Sequence, residues 1–147
     1  METIFETERL LARPWQLSDA DAVFAIYSNA NVQRFLSRGP GYQSIDEAVR
    51  QLEIWIGKYA QYPGFGFWAI VEKATGTIAG AVALKPLSGG PEYEVGYHLG
   101  EFAWGKGYAT EIARGAVIYG FEVRGLDRIV GVCDPENHAS FHVLEKA

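Results

Sequence analysis

The stretch that most constrains this chain is residues 93–111, where an apolar extended run leads into a Gly-Lys-Gly turn and a helical pattern begins directly after it. The turn consists of Gly105, Lys106 and Gly107. The first N–H groups of a helix have no partner within the helix and lie at the positive end of its dipole. Small residues let an anion approach that backbone closely. The sequence therefore predicts a turn that binds a phosphate group.

Composition narrows the class of protein. A chain of 147 residues is the size of one domain, and we expect a single domain over residues 1–147. The net charge of −5 argues against a nucleic-acid surface. The single cysteine, Cys133, fits a reducing compartment. No apolar run reaches membrane-spanning length, and the acidic start lacks a signal-peptide pattern. We expect a cytoplasmic protein that binds neither nucleic acid nor membrane.

Hydrophobic periodicity predicts the order strand, two helices, three strands, helix, strand, helix. The predicted strands cover residues 9–15, 66–72, 77–84, 93–99 and 127–133. The predicted helices begin after Ser18 and Ser44, both in capping patterns, and cover residues 107–123 and 137–147. A short helical continuation is also expected over residues 31–36. The middle strands should be antiparallel, and the strand–helix–strand unit over residues 93–133 should be parallel. These features predict an α+β fold with a mixed, mostly antiparallel sheet.

Two general phosphate motifs fit the turn only in part. Gly105 and Gly107 match the start of a dinucleotide fingerprint, but Thr110 stands where the third glycine belongs. Residues 100–106 match the Gly-x-x-x-x-Gly-Lys of a P-loop, but Gly107 replaces the Ser or Thr that holds magnesium. Asp134 could then act as a second magnesium ligand, although antiparallel hairpins disagree with an all-parallel P-loop sheet. A glycine-rich connector without any ligand is a further alternative.

A third motif, the pyrophosphate turn for coenzyme A, fits better, and with it the chain resembles the GNAT superfamily of acyl-CoA-dependent N-acyltransferases. The family signature Gln/Arg-x-x-Gly-x-Gly/Ala corresponds here to Trp104-Gly105-Lys106-Gly107-Tyr108-Ala109, with Trp104 in place of Gln or Arg. Trp-Gly-Lys-Gly-Tyr-Ala-Thr-Glu is similar to the RimJ/RimL branch of ribosomal-protein N-terminal acetyltransferases. So are Glu-Arg-Leu-Leu-Ala-Arg-Pro-Trp near the start and Pro-Glu-Asn-His-Ala-Ser-Phe-His-Val-Leu-Glu-Lys near the end. The resemblance covers essentially the whole chain.

This resemblance implies a cofactor site. Acetyl-CoA would be the cosubstrate, and its pantetheine arm would pair with the backbone from Tyr97 to Leu99, where the strand splays from its parallel neighbour. The N–H near Leu99 would polarise the thioester carbonyl. In the family an asparagine matching Asn137 also contacts this arm. The residues expected around the pyrophosphate are Trp104, Gly105, Lys106, Gly107, Tyr108, Ala109 and Thr110.

The resemblance also implies direct attack of a neutral amine on the thioester, which requires a base. Glu94, where many family members carry a glutamate, is the first candidate, and the alternative is a solvated strand carboxylate. His98 shares its strand face and is the second candidate, with a pocket-wall role as the alternative. Ser140, which matches a serine of the RimL-like branch, is the candidate acid for the leaving thiolate. Its alternative is a bystander in a helix that Asn137 caps.

His138 and His142 have the spacing of zinc ligands, but no third ligand accompanies them, so we expect no metal. The expected acceptor is a primary amine, either a protein N-terminus or a small molecule, and the alternative is a non-catalytic acyl-CoA-binding module. Family members continue beyond this point with two further strands. We therefore expect missing C-terminal strands and an unprotected edge at residues 127–133. Either a disordered or truncated tail is left out of the sequence, or a partner covers that edge; a homodimer is a further expectation.

Overall fold

The computed structural model describes residues 3–29, 43–86, 92–131 and 142–145. In these ranges seven strands form one sheet in chain order. The strands are β1 (Phe5–Glu6), β2 (Leu10–Arg13), β3 (Gly66–Glu72), β4 (Ile78–Pro86), β5 (Tyr93–Leu99), β6 (Arg128–Gly131) and β7 (His142–Glu145). The helices are α1 (Ala20–Tyr27), α2 (Ile45–Gln61) and α3 (Tyr108–Ile118), which continues into a π-helical turn at Tyr119–Val123.

The strand pairing is mixed, as the sequence predicted. Every neighbouring pair is antiparallel except β5 and β6, which are parallel and joined through α3. The ladder between β5 and β6 runs from Tyr93 paired with Ile129 to Val95 paired with Gly131. The second half of β5 therefore extends past the described end of β6, toward the glycine turn. The predicted α+β class is confirmed.

Helices cover both faces of the sheet and bury a core on each. On one face α3 buries Ile112 against Trp68 and Leu84, and all three side chains are almost fully buried. On the other face α1 and α2 bury Val23 and Leu52. Each such side chain contributes roughly 1.5–3 kcal/mol to folding. The rigid sheet between the two cores therefore holds β5, and with it the start of the turn.

Glycines in and after α3 allow it to lie close to the sheet, as its small residues predicted. A Cβ atom on Gly115 would lie 2.6 Å from Thr7 Cγ2, and one on Gly120 would lie 2.7 Å from Ile129 Cδ1. Both distances are shorter than a carbon–carbon contact allows. Gly125 then ends the helical region in the left-handed conformation, with φ of 71°, which is the predicted stop.

The first helix begins differently from the prediction. Ser18 does not cap it. Instead a 3-10 turn, Leu17–Asp19, precedes α1. The carboxylate of Asp19 accepts a hydrogen bond from the backbone N–H of Gln16 at 2.8 Å and pairs with Arg13 at 2.9 Å. Hydrogen bonds to an ionised carboxylate are stronger than those to a hydroxyl, and a buried charge requires such partners. Asp19 therefore anchors the start of this helical region more strongly than the exposed Ser18 hydroxyl would.

The second helix begins where it was predicted, after Ser44, but without the predicted capping box. The Ser44 side chain makes no capping hydrogen bond. The N–H of Glu47 donates to the backbone carbonyl of Ser44 at 3.2 Å instead. Strand β1 was not predicted at all. The helical continuation expected over residues 31–36 lies outside the described residues.

The end of the chain corrects two expectations. The helix predicted through residue 147 is wrong at His142–Glu145, which forms β7 and pairs antiparallel with β6 from Arg128–Glu145 to Gly131–His142. The edge of β6 is therefore not unprotected, because β7 satisfies its backbone groups. Because β7 pairs with β6, the structure gives no reason to expect a partner or a second copy at this edge of β6.

In the described residues, no helix is long and apolar enough to cross a membrane. The same part of the chain holds no cluster of three or more histidine, cysteine or acidic side chains that could bind a metal ion.

Candidate active site

The turn between β5 and α3 exposes the backbone at the start of a helix. Gly105 and Gly107 adopt left-handed conformations, with φ of 77° and 79°. Any residue with a Cβ atom enters this conformation at a cost of about 1–2 kcal/mol. Gly107 is the N-cap of α3, and the N–H of Glu111 donates to its carbonyl at 3.2 Å. By helix geometry the three N–H groups before Glu111 have no acceptor within the helix. These groups belong to Tyr108, Ala109 and Thr110 and form an anion-binding end.

Two cationic side chains flank this turn. Lys106 is about half exposed, with Nζ 3.9 Å from Glu72 Oε2. Arg9, directly before β2, donates from Nη1 to the carbonyl oxygen of Lys106 at 2.8 Å and from Nε to Glu111 Oε1 at 2.7 Å. Both cations thus lie at the positive end of α3, where they favour an anionic ligand further.

The two carboxylates near the turn are held in their ionised form. Hydrogen bonds from Tyr108 and then Thr75 lower the pKa of Glu72. Burial raises the pKa of Glu111, but hydrogen bonds from Thr7 and Arg9 outweigh it and lower that pKa overall. Glu111 lies in the first turn of α3 and joins that helix to the N-terminal strands through Thr7 and Arg9.

The structure places the aromatic residues of the motif in different environments. The side chain of Tyr108 is buried, and its hydroxyl donates to the Glu72 carboxylate, which raises the pKa of Tyr108. Its side chain therefore belongs to the core, and its backbone N–H is the group available to a ligand. Trp104 is 39% exposed, and its Nε1 donates to the carbonyl oxygen of Leu99 at 3.0 Å. The tryptophan that replaces Gln or Arg thus joins the turn to the end of β5.

The backbone of β5 alternates between its two neighbours. The N–H of Gly100 donates to Ala79 O at 2.8 Å, which fixes the even-numbered positions as those that bond to β4. The N–H and C=O groups of Tyr97 and Leu99 therefore face the β6 side. They lie beyond Val95, the last residue of β5 in the described ladder with β6. This is the position expected for groups that pair with a pantetheine arm.

The two candidate bases share a sheet face but lie far apart. The side chain of Glu94 is 18% exposed, with Lys85 Nζ 3.5 Å from its Oε1. His98 Nδ1 lies 3.1 Å from the Tyr27 hydroxyl, and its ring makes an edge contact with Phe67. A strand rises about 3.3 Å per residue, so Glu94 and His98 are about 13 Å apart. Only His98 lies beside Leu99, so the structure does not bring both candidates to one reacting centre.

Tyr27 contacts the candidate base His98, which the sequence did not predict. Its place in the helical stripe of α1 predicted only a core aromatic, and its ring does pack tightly against Trp55. Its contact with His98 joins residues 71 positions apart, which no local pattern reveals. The other two expected site residues, Asn137 and Ser140, lie outside the described residues, as do Asp134 and His138.

The fold and the turn together agree with the acyltransferase class expected from the sequence, with a parallel strand pair that leads to a glycine turn at a helix start. The mixed sheet and Gly107 exclude the all-parallel P-loop alternative. The chain belongs to the GNAT acetyltransferase family, whose acetyltransferase (GNAT) domain model matches residues 9–147. It is therefore an acetyltransferase of a family that uses acetyl-CoA.

Individual relatives agree with this assignment. An uncharacterized N-acetyltransferase of Bacillus subtilis, YoaA, is 32% identical over 147 residues, which cover 99% of this chain and 82% of YoaA. A GNAT-family acetyltransferase from Bacillus anthracis superposes with a TM-score of 0.78 at 24% identity, covering 93% of this chain and 76% of that one. RimL, a ribosomal-protein alpha-N-acetyltransferase solved with coenzyme A, superposes with a TM-score of 0.71 at 19% identity, covering 88% and 73%. The predicted superfamily is confirmed, and RimL is among its structural neighbours.

Proposed function

We propose that this enzyme transfers the acetyl group of acetyl-CoA to the free amine of a protein N-terminus by direct attack on the thioester. The observation that carries the proposal is the pair of backbone sites that the end of β5 and the start of α3 offer to one ligand. Tyr97 and Leu99 face the β6 side, and a 3-10 turn at Glu101–Ala103 leads from them to the left-handed glycines before α3. RimL, a structural neighbour, is a ribosomal-protein alpha-N-acetyltransferase in complex with coenzyme A, which favours an N-terminal acceptor.

On the cofactor side, the pyrophosphate would accept hydrogen bonds from the N–H groups of Tyr108, Ala109 and Thr110. Lys106 would add a charge contact, and Gly105 and Gly107 leave the backbone open to close approach. The pantetheine arm would pair with Tyr97 and Leu99. The N–H of Leu99 would stabilise the developing oxyanion, while Asn137 would contact the arm and Ser140 would protonate the leaving thiolate.

On the acceptor side, the geometry favours His98 over Glu94 as the base if the thioester carbonyl lies at Leu99. Glu94 would be about 17 Å away along the strand, too far for transfer without a chain of waters. An N-terminal amine has a pKa of about 8, so roughly a tenth is neutral at pH 7, and a base is needed to deprotonate the remainder. A lysine amine, with a pKa near 10.4, would need a much stronger base.

The direct test is release of free coenzyme A thiol from acetyl-CoA in the presence of matched peptides. One peptide has a free N-terminus, and its control has the same sequence with a blocked N-terminus and an intact lysine. We expect thiol release with the first peptide alone. Equal release with both peptides would move the acceptor to lysine side chains, and release only with small amines would make the acceptor a small molecule. Binding of coenzyme A without release by any amine would support a non-catalytic module.

A further inference from the structure

Arg9 connects the N-terminal strands to the cofactor turn, although it lies outside every phosphate motif in the sequence. Its backbone N–H donates to Glu111 Oε2 at 2.8 Å, and its Nε donates to Glu111 Oε1 at 2.7 Å. Its Nη1 donates to the carbonyl oxygen of Lys106 at 2.8 Å. One guanidinium therefore holds both the middle of the turn and the first helical turn of α3.

The guanidinium group of Arg9 is itself held in place. Its Cζ lies 4.7 Å from the centre of the Tyr108 ring, within the range of a cation–π contact. The Tyr108 ring is buried and fixed by its hydrogen bond to Glu72. The remaining nitrogen, Nη2, lies 3.4 Å from the position that a Cβ on Gly107 would occupy. Arg9 is therefore packed against the turn and is more than a solvated surface charge, although its side chain is 45% exposed.

Charge makes this contact matter for an anionic ligand. Glu111 places a carboxylate in the first turn of α3, at the helix end where a phosphate would bind. A second negative charge so close would oppose binding through repulsion across a short distance. Arg9 offsets the charge of Glu111 by a direct ion pair. Arg9 also keeps the Lys106 carbonyl oxygen directed toward the guanidinium. The Lys106 carbonyl oxygen and Glu111 Oε1 would both repel a phosphate, and both are bound by this one cation.

We propose that Arg9 is a positioning residue of the cofactor site: it fixes the Lys106 carbonyl and neutralises Glu111, so that the start of α3 accepts the pyrophosphate. This inference rests on the proposed binding of acetyl-CoA at the turn. Arg9 acts through the turn and has no part in the chemical step. Its loss should therefore weaken binding of the cofactor and leave the rate at saturation unchanged.

The test is calorimetric titration of coenzyme A, with steady-state kinetics, on four proteins: the wild type, Arg9→Met, Arg9→Lys and the double variant Arg9→Met with Glu111→Gln. The control is Arg128→Met, because Arg128, on β6, is exposed to a similar degree as Arg9 and also pairs with a glutamate, Glu92. We expect Kd and KM for the cofactor to rise about tenfold in Arg9→Met, with kcat within about twofold. Arg9→Lys keeps the charge but not the fork and should lie between. The double variant should regain part of the affinity, because the uncompensated carboxylate is gone.

Several results overturn the inference, and they are distinguishable. If the wild type binds coenzyme A and Arg9→Met binds it equally well, with only its melting temperature lowered, Arg9 is structural and the proposed function stands. If the wild type fails to bind coenzyme A, the proposed function falls and the role of Arg9 falls with it. Should Arg9→Met fail to fold, Arg9→Lys decides: unchanged Kd refutes the role, and raised Kd with unchanged kcat supports it. The inference also fails if Arg128→Met raises Kd as much as Arg9→Met does.

Discussion

Replacing Gly107 with alanine should separate backbone strain from cofactor binding. Gly107 has φ of 79°, and a Cβ there would meet only Arg9 Nη2, at 3.4 Å. The cost to folding is therefore mainly the left-handed backbone, about 1–2 kcal/mol, or a melting temperature lower by roughly 3–8 °C in a domain of this size. Binding should suffer further, because the added methyl group lies at the N-cap beside the N–H groups that would hold the pyrophosphate. We expect Kd for coenzyme A to rise at least about tenfold, or about 1.4 kcal/mol.

Gly76 supplies a matched control for this substitution. It lies in the turn between β3 and β4 with φ of 75°, and a Cβ there would meet nothing within 4 Å. Gly76→Ala should lower the melting temperature by a similar amount and leave Kd unchanged. The assay is thermal unfolding of both variants, followed by calorimetric titration with coenzyme A below both transitions. Equal affinities for Gly107→Ala and Gly76→Ala would refute the assignment of the cofactor to this turn.

Three further predictions concern the chemistry and the pH response. His98→Gln should lower kcat by about a hundredfold or more and flatten the rise of kcat with pH. Glu94→Gln should change kcat only a few fold. A pH–rate series in which Glu94→Gln has the larger effect would make Glu94 the base. Tyr27→Phe should lower kcat by a smaller factor without changing KM for acetyl-CoA, and an unchanged pH profile would leave Tyr27 a core residue. Burial raises the pKa of Glu111, but hydrogen bonds from Thr7 and Arg9 outweigh it and hold that pKa below its usual value. The stability that this carboxylate contributes is therefore present above its unfolded-state pKa and lost as the pH falls through the lowered folded-state value. Unfolding scans between about pH 6 and pH 3 should show a larger loss of melting temperature for the wild type than for Glu111→Gln.

The unit from β5 to α3 could be predicted from the sequence because its signals are local. An apolar run, two glycines and a helical stripe lie within residues 93–123, and the structure places β5, the left-handed turn and α3 there. The mixed pairing followed from the spacing of the strands and from the length of the crossover between β5 and β6. The position of the proposed cofactor turn follows from the same short stretch.

Features that depend on distant partners could not be predicted in this way. β1 has two residues, Phe5 and Glu6, and is defined by its pairing with β2. β7 replaces a helical pattern because β6 offers it an edge to pair with. Arg9 was assigned to a strand without a role, since its contacts with Lys106 and Glu111 span about a hundred positions. Tyr27 likewise reaches His98 only through the folded sheet.

An amide NMR titration of isotope-labelled protein with coenzyme A observes individual backbone N–H groups and therefore tests whether the cofactor binds at this turn. We expect the largest shifts at residues 105–110, smaller shifts at Tyr97 and Leu99, and none in the turn around Gly76. Saturable shifts centred elsewhere, or no shift at the start of α3 at millimolar coenzyme A, would contradict this expectation.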